Sequence, residues 1–238
     1  MINIVIPLAG DSKFFSEDLI FPKVLTEIRG KTMLEHFITN ISCIKNSRLI
    51  FIIKKQDQKY YLEESIKLLN KESIVISLTK QTKGMACSSM FAIDYINNDD
   101  ELIICNGDQI FDLDLSEVVE HFRAYDGGVI SFENFHPRFA FVLSNEKDEV
   151  IEASEKKPIS KNAIAGFYYF KKGKDFIKAC EKMIEKDAHI EGNFFVAPCL
   201  NELILENKII KNFSIPKNKY HTFYSPAKIE QYERIEND

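Results

Sequence analysis

The 238-residue chain lacks long apolar runs, an excess of positive charge and any paired-cysteine signature. Each absence closes a class of function. No apolar stretch reaches the roughly 18 residues that a membrane span requires. The opening run from Ile2 to Leu8 is too short for a secretory leader and has no basic flank. A formal net charge of −5 argues against a general nucleic-acid binder, which needs a broad basic face. The cysteines Cys43, Cys87, Cys105, Cys180 and Cys199 are scattered, odd in number and set among apolar neighbours, without CxxC or Cys/His ligand spacing. Free thiols in a soluble, cytoplasmic protein are the expectation. Gly10 has no partner glycines, so the first strand does not lead into a dinucleotide fingerprint. Gly-x-Ser-x-Gly and a cysteine–histidine nucleophile setting are missing too, which gives covalent catalysis no support. The five histidines show neither i, i+4 pairing nor a companion carboxylate. His36, His121 and His189 are expected on solvated or half-buried surfaces, and His136 in a loop.

What is present is strand–helix alternation. Short β-branched runs at Ile2–Pro7, 48–53, 73–78 and Glu101–Cys105 read as strands. Between them, residues 33–44, 59–69 and 84–96 space their apolar side chains as helices do. That order predicts an α/β fold around a largely parallel sheet. After Gly107 the pattern changes. Asp126-Gly127-Gly128 reads as a turn into a strand at 129–133, and 139–143 with 150–153 as an antiparallel hairpin. A strand at 163–170, helices at 174–186 and 196–206, and a strand at 208–215 follow. No repeat, low-complexity tract or linker divides the chain, so one compact unit is expected.

Four segments could carry chemistry. The first strand opens at Leu8-Ala9-Gly10 into a polar loop with Asp11, Ser12 and Lys13 that ends in Pro22-Lys23; it is either a phosphate cradle or an ordinary surface loop. Asn106-Gly107-Asp108 puts a carboxylate just past a strand end, where it either holds Mg²⁺ against phosphate oxygens or caps a turn. Asp112 and Asp114 follow with DxD spacing, in a setting that reads as the N-cap region of a helix at 117–122. Gln81-Thr82-Lys83-Gly84 precedes a small-residue helix. There a glycine admits a flat ligand and glutamine reads a base edge, or the segment is a plain helix start. Glu155-Lys156-Lys157-Pro158, followed by Gly166, either presents an ammonium to a phosphate or forms a solvated turn.

Together these segments resemble the sugar nucleotidyltransferases (NDP-sugar pyrophosphorylases), whose ordered motifs have counterparts here in Leu8-Ala-Gly-Asp-Ser-Lys13, Pro22-Lys23, Gln81 with Gly84-Met-Ala86, Gly107-Asp108, Glu155-Lys156 and Gly166-Phe-Tyr168. Asp108-Gln109, Pro158-Ile-Ser160 and Phe195-Val-Ala-Pro198 look most like the short capsule- and lipopolysaccharide-locus members. The resemblance implies a three-layer, Rossmann-like (GT-A-like) mixed sheet with a small antiparallel extension. It implies a single nucleotidyltransferase domain over residues 1–238, with a nucleotide-binding half at about 1–125 and an acceptor-binding half at about 126–238. The implied reaction joins an NTP to a sugar phosphate or small polyol phosphate and releases pyrophosphate, for capsule or other surface-polysaccharide synthesis. Such transfer depends on in-line positioning and charge neutralisation.

Roles carried over from the resemblance are as follows. Lys13 meets the departing pyrophosphate, Lys23 the α-phosphate, and Asp108 holds Mg²⁺. Leu8, Ala9, Gly10, Asp11, Ser12, Gln81, Lys83, Gly84 and Asn106 contact the nucleotide. Glu155, Lys156 and Gly166 contact the acceptor, whose pocket would also draw on residues 132–138 and 193–197. The chain departs from the family in its opening loop, where Gly10 is the one glycine and lysine stands for arginine. It departs again at Tyr220-His-Thr-Phe-Tyr-Ser-Pro226, which has no carboxylate where many relatives place a second metal-binding Asp. His221 there reads as structural rather than metal-binding. Two other readings stay open: a GT-A glycosyltransferase using an NDP-sugar through Asp112 and Asp114, and a non-catalytic nucleotide- or sugar-sensing homologue.

Overall fold

The computed structural model describes residues 1–10 and 21–235. Asp11, Ser12 and Lys13 lie outside the described residues. The chain begins with β1 (Ile2–Pro7), a 3₁₀ turn at Lys23–Leu25, a ribbon of β2 (Glu27–Ile28) with β3 (Lys31–Thr32), α1 (Met33–Ile41), β4 (Ser47–Lys54), α2 (Leu62–Leu69) and β5 (Ile74–Leu78). It continues through α3 (Met85–Met90), α4 (Ile93–Ile96), β6 (Glu101–Cys105), β7 (Gln109–Phe111), α5 (Leu115–Phe122) and β8 (Gly127–Glu133). The remainder is β9 (Ala140–Ser144), β10 (Val150–Glu155), β11 (Asn162–Phe170), α6 (Gly173–Glu185), α7 (Val196–Leu205), β12 (Ile210–Ile215), β13 (Tyr220–Thr222) and α8 (Pro226–Glu233).

Parallel pairing runs β6-β1-β4-β5, with Ile4 opposite both Leu49 and Ile103. Strand β11 joins antiparallel to β6, β8 antiparallel to β11, and β12 parallel to β8, while the β9–β10 hairpin attaches at Ala163 opposite Phe141. The strand period of two sorts the opening run into two cores. Ile2, Ile4 and Ile6 face the layer closed by α1, α2 and α5, through Phe37, Ile66 and Phe122. Val5 faces the other layer, closed by α3, α6 and α7, through Ala86, Phe176 and Leu200. The result is the expected three-layer mixed α/β architecture, with helices on both faces of the sheet.

Local differences from the sequence reading have identifiable causes. Residues 59–69 do not form one helix, because Tyr61 adopts φ 58° between a 3₁₀ stretch at Lys55–Tyr60 and α2. Residues 84–96 divide into α3 and α4; the Ser88 and Ser89 hydroxyls donate back to the Gly84 and Met85 carbonyls, a competition that shortens helices. Gly127 and Gly128 are strand residues rather than a turn, since a Cβ on Gly128 would lie 2.2 Å from the Phe122 ring. The β2–β3 ribbon, the β7–β13 ribbon and α8 were not expected from the periodicity, because each is too short or too polar to show one.

Candidate active site

Strands β1 and β6 lie side by side, with Val5 opposite Ile104, so their C-terminal ends deliver Leu8-Ala9-Gly10 and Asn106-Gly107-Asp108 to one edge. The approach is close: a Cβ on Gly107 would stand 2.7 Å from the Leu8 side chain. Lys23 arrives from the turn that Pro22 opens, where the Leu25 amide donates to the Pro22 carbonyl at 2.9 Å. Its ammonium forms an ion pair with the Asp108 carboxylate, both side chains being roughly four-fifths buried. The structure thus brings together two residues 85 positions apart that the sequence reading had singled out separately.

Beside this pair opens a cavity of about 230 Å³. Asn106 and Asp108 line it from the sheet edge, Arg138 and Glu155 from the β9–β10 hairpin, Gly166 and Tyr168 from β11, and Thr222 and Tyr224 from the C-terminal segment. Burial pushes the Glu155 carboxyl up to about 7, against the pull of Lys156. Gly166 sits at φ +60° in the register break of β11 between Ile164 and Tyr168. Its carbonyl accepts from the Asn106 amide and from Gln109 Nε2, each at 3.0 Å, and a Cβ there would lie 2.2 Å from Asn106 Nδ2. Only glycine fits this clasp, which fixes Asn106 and the strand end next to Asp108. The Phe223 amide donates to the Asp108 carbonyl at 2.9 Å, tying the C-terminal segment to the same point.

Other predicted residues fall elsewhere. Gln81 and Lys83 line a larger hollow of about 880 Å³ between the 79–84 loop, α3 and residues 184–194. Gly84, at φ +97°, turns its bare side to the Phe194 backbone, where a Cβ would meet the carbonyl oxygen at 2.4 Å. Lys156 leaves the small cavity, pairs with Glu191 and packs over the Phe195 ring. Asp114 caps α5 by accepting from the Ser116 amide at 2.8 Å, and Asp112 binds His221 Nε2 at 2.7 Å. His221 therefore does have a companion carboxylate, contrary to the sequence expectation; the β7–β13 ribbon makes the contact across 109 positions. Strand alternation on β13 sends Tyr220 and Thr222 into the cavity and His221 away from it. Thr222 and Tyr224 were missed, and Arg138 falls at the end of the 132–138 stretch expected to border the acceptor, where it was not singled out. The Tyr-x-Thr alternation was the available signal for Thr222, whereas nothing local marks Arg138 beyond the preceding Pro137.

The nucleotidyl transferase family profile matches residues 19–198. The chain is 32% identical over 193 residues to the bifunctional protein GlmU of Methanocaldococcus jannaschii, covering 79% of this chain and 43% of that protein, so it spans less than half of that relative. It is 22% identical over 226 residues to the UTP–glucose-1-phosphate uridylyltransferase AglF of Haloferax volcanii, covering 91% and 89% of the two chains. In fold it is similar to the nucleoside-diphosphate-sugar pyrophosphorylase from Vibrio cholerae RC9, with a TM-score of 0.84, 22% identity, and 97% and 99% of the two chains covered. It is also similar to the inositol-1-phosphate CTP transferase from T. maritima, with a TM-score of 0.71, 15% identity, and 99% and 98% covered. With the profile running from before Pro22-Lys23 through Asp108 and Glu155 to Pro198, the chain belongs to the nucleotidyl transferase family.

Proposed function

We propose that this protein joins an NTP to a sugar phosphate or small polyol phosphate and releases pyrophosphate, in a single domain whose two halves meet at Asp108. The observation that carries this reading is the Lys23–Asp108 pair at the joint C-terminal edge of β1 and β6, beside a cavity lined by converging polar side chains. An ammonium and a carboxylate there suit a reaction with little covalent work for the protein and much charge to neutralise. Lys23 faces the α-phosphate, where negative charge builds as the acceptor oxygen attacks. The strand end Leu8-Ala9-Gly10 and Asn106 border the nucleotide, with Gln81, Lys83 and Gly84 on the base side, and Lys13 meets the departing pyrophosphate. Glu155, Lys156 and Gly166 frame the acceptor.

A single carboxylate oxygen donor next to bound phosphates suits Mg²⁺, which commonly takes one or two carboxylates, substrate phosphate oxygens and water. Asp108 is that donor, and the ion supplies neutralisation of the phosphate charge. No cluster of three or more metal-ligating side chains exists among the described residues, in keeping with a site completed by substrate. Asp112 and Asp114 are taken up by His221 and the α5 cap, so the glycosyltransferase reading through that pair gains no support from the geometry. No helix among the described residues is long and apolar enough to cross a membrane. A product destined for capsule or other surface polysaccharide fits the resemblance to short capsule-locus members.

The test is pyrophosphate release from each NTP with Mg²⁺ and a panel of sugar and polyol phosphates, guided by which nucleotide raises the melting temperature. Release that requires both substrates supports the reading. Transfer from an NDP-sugar without pyrophosphate chemistry, or nucleotide binding with no turnover across the panel, overturns it.

A further inference from the structure

Arg138 stands just before β9, at the mouth of the small cavity, and no carboxylate is paired with it among the described residues. Its guanidinium lies over the Tyr224 ring, with Cζ 3.1 Å from the ring centroid. Stacking on an aromatic face holds the planar fork while leaving its N–H edge free to donate. Among the described residues lining this cavity it carries the only positive side chain. Two other cations of the neighbourhood are paired: Lys23 with Asp108, and Lys156 with Glu191, its ammonium 5.4 Å from the centre of the Phe195 ring. Buried Tyr220 lies close enough to Asp108 and Arg138 to feel both charges, which places the guanidinium near the reacting edge. Burial also favours the neutral form of Glu155, which lines the same cavity, so below about pH 7 the carboxyl offsets little of the arginine's charge.

On the reading proposed above, we infer that Arg138 is the residue that grips the phosphate of the acceptor, with Lys156 held off by Glu191 in a lesser role. A guanidinium meets phosphate oxygens with two parallel N–H bonds, which fixes orientation as well as charge. That orientation aims the acceptor oxygen at the Lys23–Asp108 edge. Tyr224 is the positioning residue, acting through the arginine.

The test uses the full chain and inorganic phosphate as probe, so it does not depend on knowing the acceptor. The Arg138 Nε–H signal, assigned by its loss in Arg138→Lys, is followed by NMR during phosphate titration. A saturable shift is expected, with Arg138→Met weakening phosphate binding about tenfold or more, Arg138→Lys falling between, and Lys156→Met costing less than Arg138→Met. Where a phosphate ester turns over, Arg138→Met raises its KM by a similar factor and leaves the NTP KM within about twofold. An unmoved Arg138 signal, an equal loss of binding affinity for the ester and for its dephosphorylated parent, or a loss that falls on the NTP instead overturns the assignment. If phosphate binds at Arg138 but no NTP–ester pair releases pyrophosphate, the proposed reaction fails while this subsite stands.

Discussion

Two hollows flank the C-terminal edge of the sheet, and they differ in the opposite sense from their sizes. The larger, about 880 Å³, is walled mainly by apolar groups such as Ile76, Leu78, Phe91 and Phe194, with Lys80 and Lys83 at its rim. The smaller, about 230 Å³, gathers Asp108, Arg138, Glu155 and Tyr224 from widely separated parts of the chain. Volume shows where a ligand has room, whereas converging polar groups with shifted titration show where chemistry can be done. On the proposed reading, phosphate chemistry belongs to the small cavity, and the large hollow, lined by Gln81 and Lys83, is left for the base.

Lys23→Met is the strongest way to sharpen that contrast. It removes the charge facing the α-phosphate, and pyrophosphate release should fall by about a thousandfold, whereas Lys83→Met in the large hollow should raise the NTP KM by about tenfold at most. Steady-state kinetics of the two variants measure the ratio, and comparable losses would erase the distinction.

Glu155 gives the next largest effect. Burial pushes its carboxyl up to about 7, against about 4.3 for an ordinary glutamate. The native state therefore holds a proton that the unfolded chain has released, and stability declines as pH rises through that window, by up to about 3 kcal/mol. Urea unfolding at both ends of the window should show the decline in the wild type and a flatter profile in Glu155→Gln. Identical slopes would mean that the cavity does not desolvate this carboxyl.

Glycines separate the two sides of the edge more gently. Gly84→Ala meets the Phe194 backbone in a positive-φ position and should cost about 2 kcal/mol, while Gly10→Ala, whose new methyl has nothing within 4 Å among the described residues, should stay within about 0.5 kcal/mol. Denaturant midpoints compare them. The smallest change is expected for Asp112→Asn. It loosens the His221 contact by at most about 1 kcal/mol and should leave the Mg²⁺ dependence of pyrophosphate release as it was. A shifted Mg²⁺ requirement would revive the DxD pair as the metal site.

The parallel half of the fold was legible because its strands are continuous apolar runs: Ile2–Pro7 and Glu101–Cys105 begin and end where their composition changes. Asp108 and Lys23 were legible as strand-end and post-proline residues, since a chain leaving a parallel strand must pass the ligand edge. Their pairing was not legible, because it depends on how the 3₁₀ turn at Lys23–Leu25 folds back across the sheet. The aromatic and arginine wall was hidden for a related reason. Arg138 reaches Tyr224, 86 positions away, only because β13 pairs with the three-residue strand β7, which is too short to show alternation. Gly84 and Gly166 were singled out as places of ligand approach. Gly84 packs against the Phe194 backbone and Gly166 against Asn106, demands that a sequence motif does not distinguish from ligand approach.

On the proposed reading, nucleotidyl transfer takes place at the Lys23–Asp108 edge. Its most direct test follows an NTP labelled at the α-phosphate, with Mg²⁺ and a phosphate ester that turns over, in the wild type and in Asp108→Asn. Label should pass to the ester, with one pyrophosphate released for each transfer, and Asp108→Asn should stop the transfer while still binding the NTP. Transfer at the wild-type rate in Asp108→Asn would contradict it.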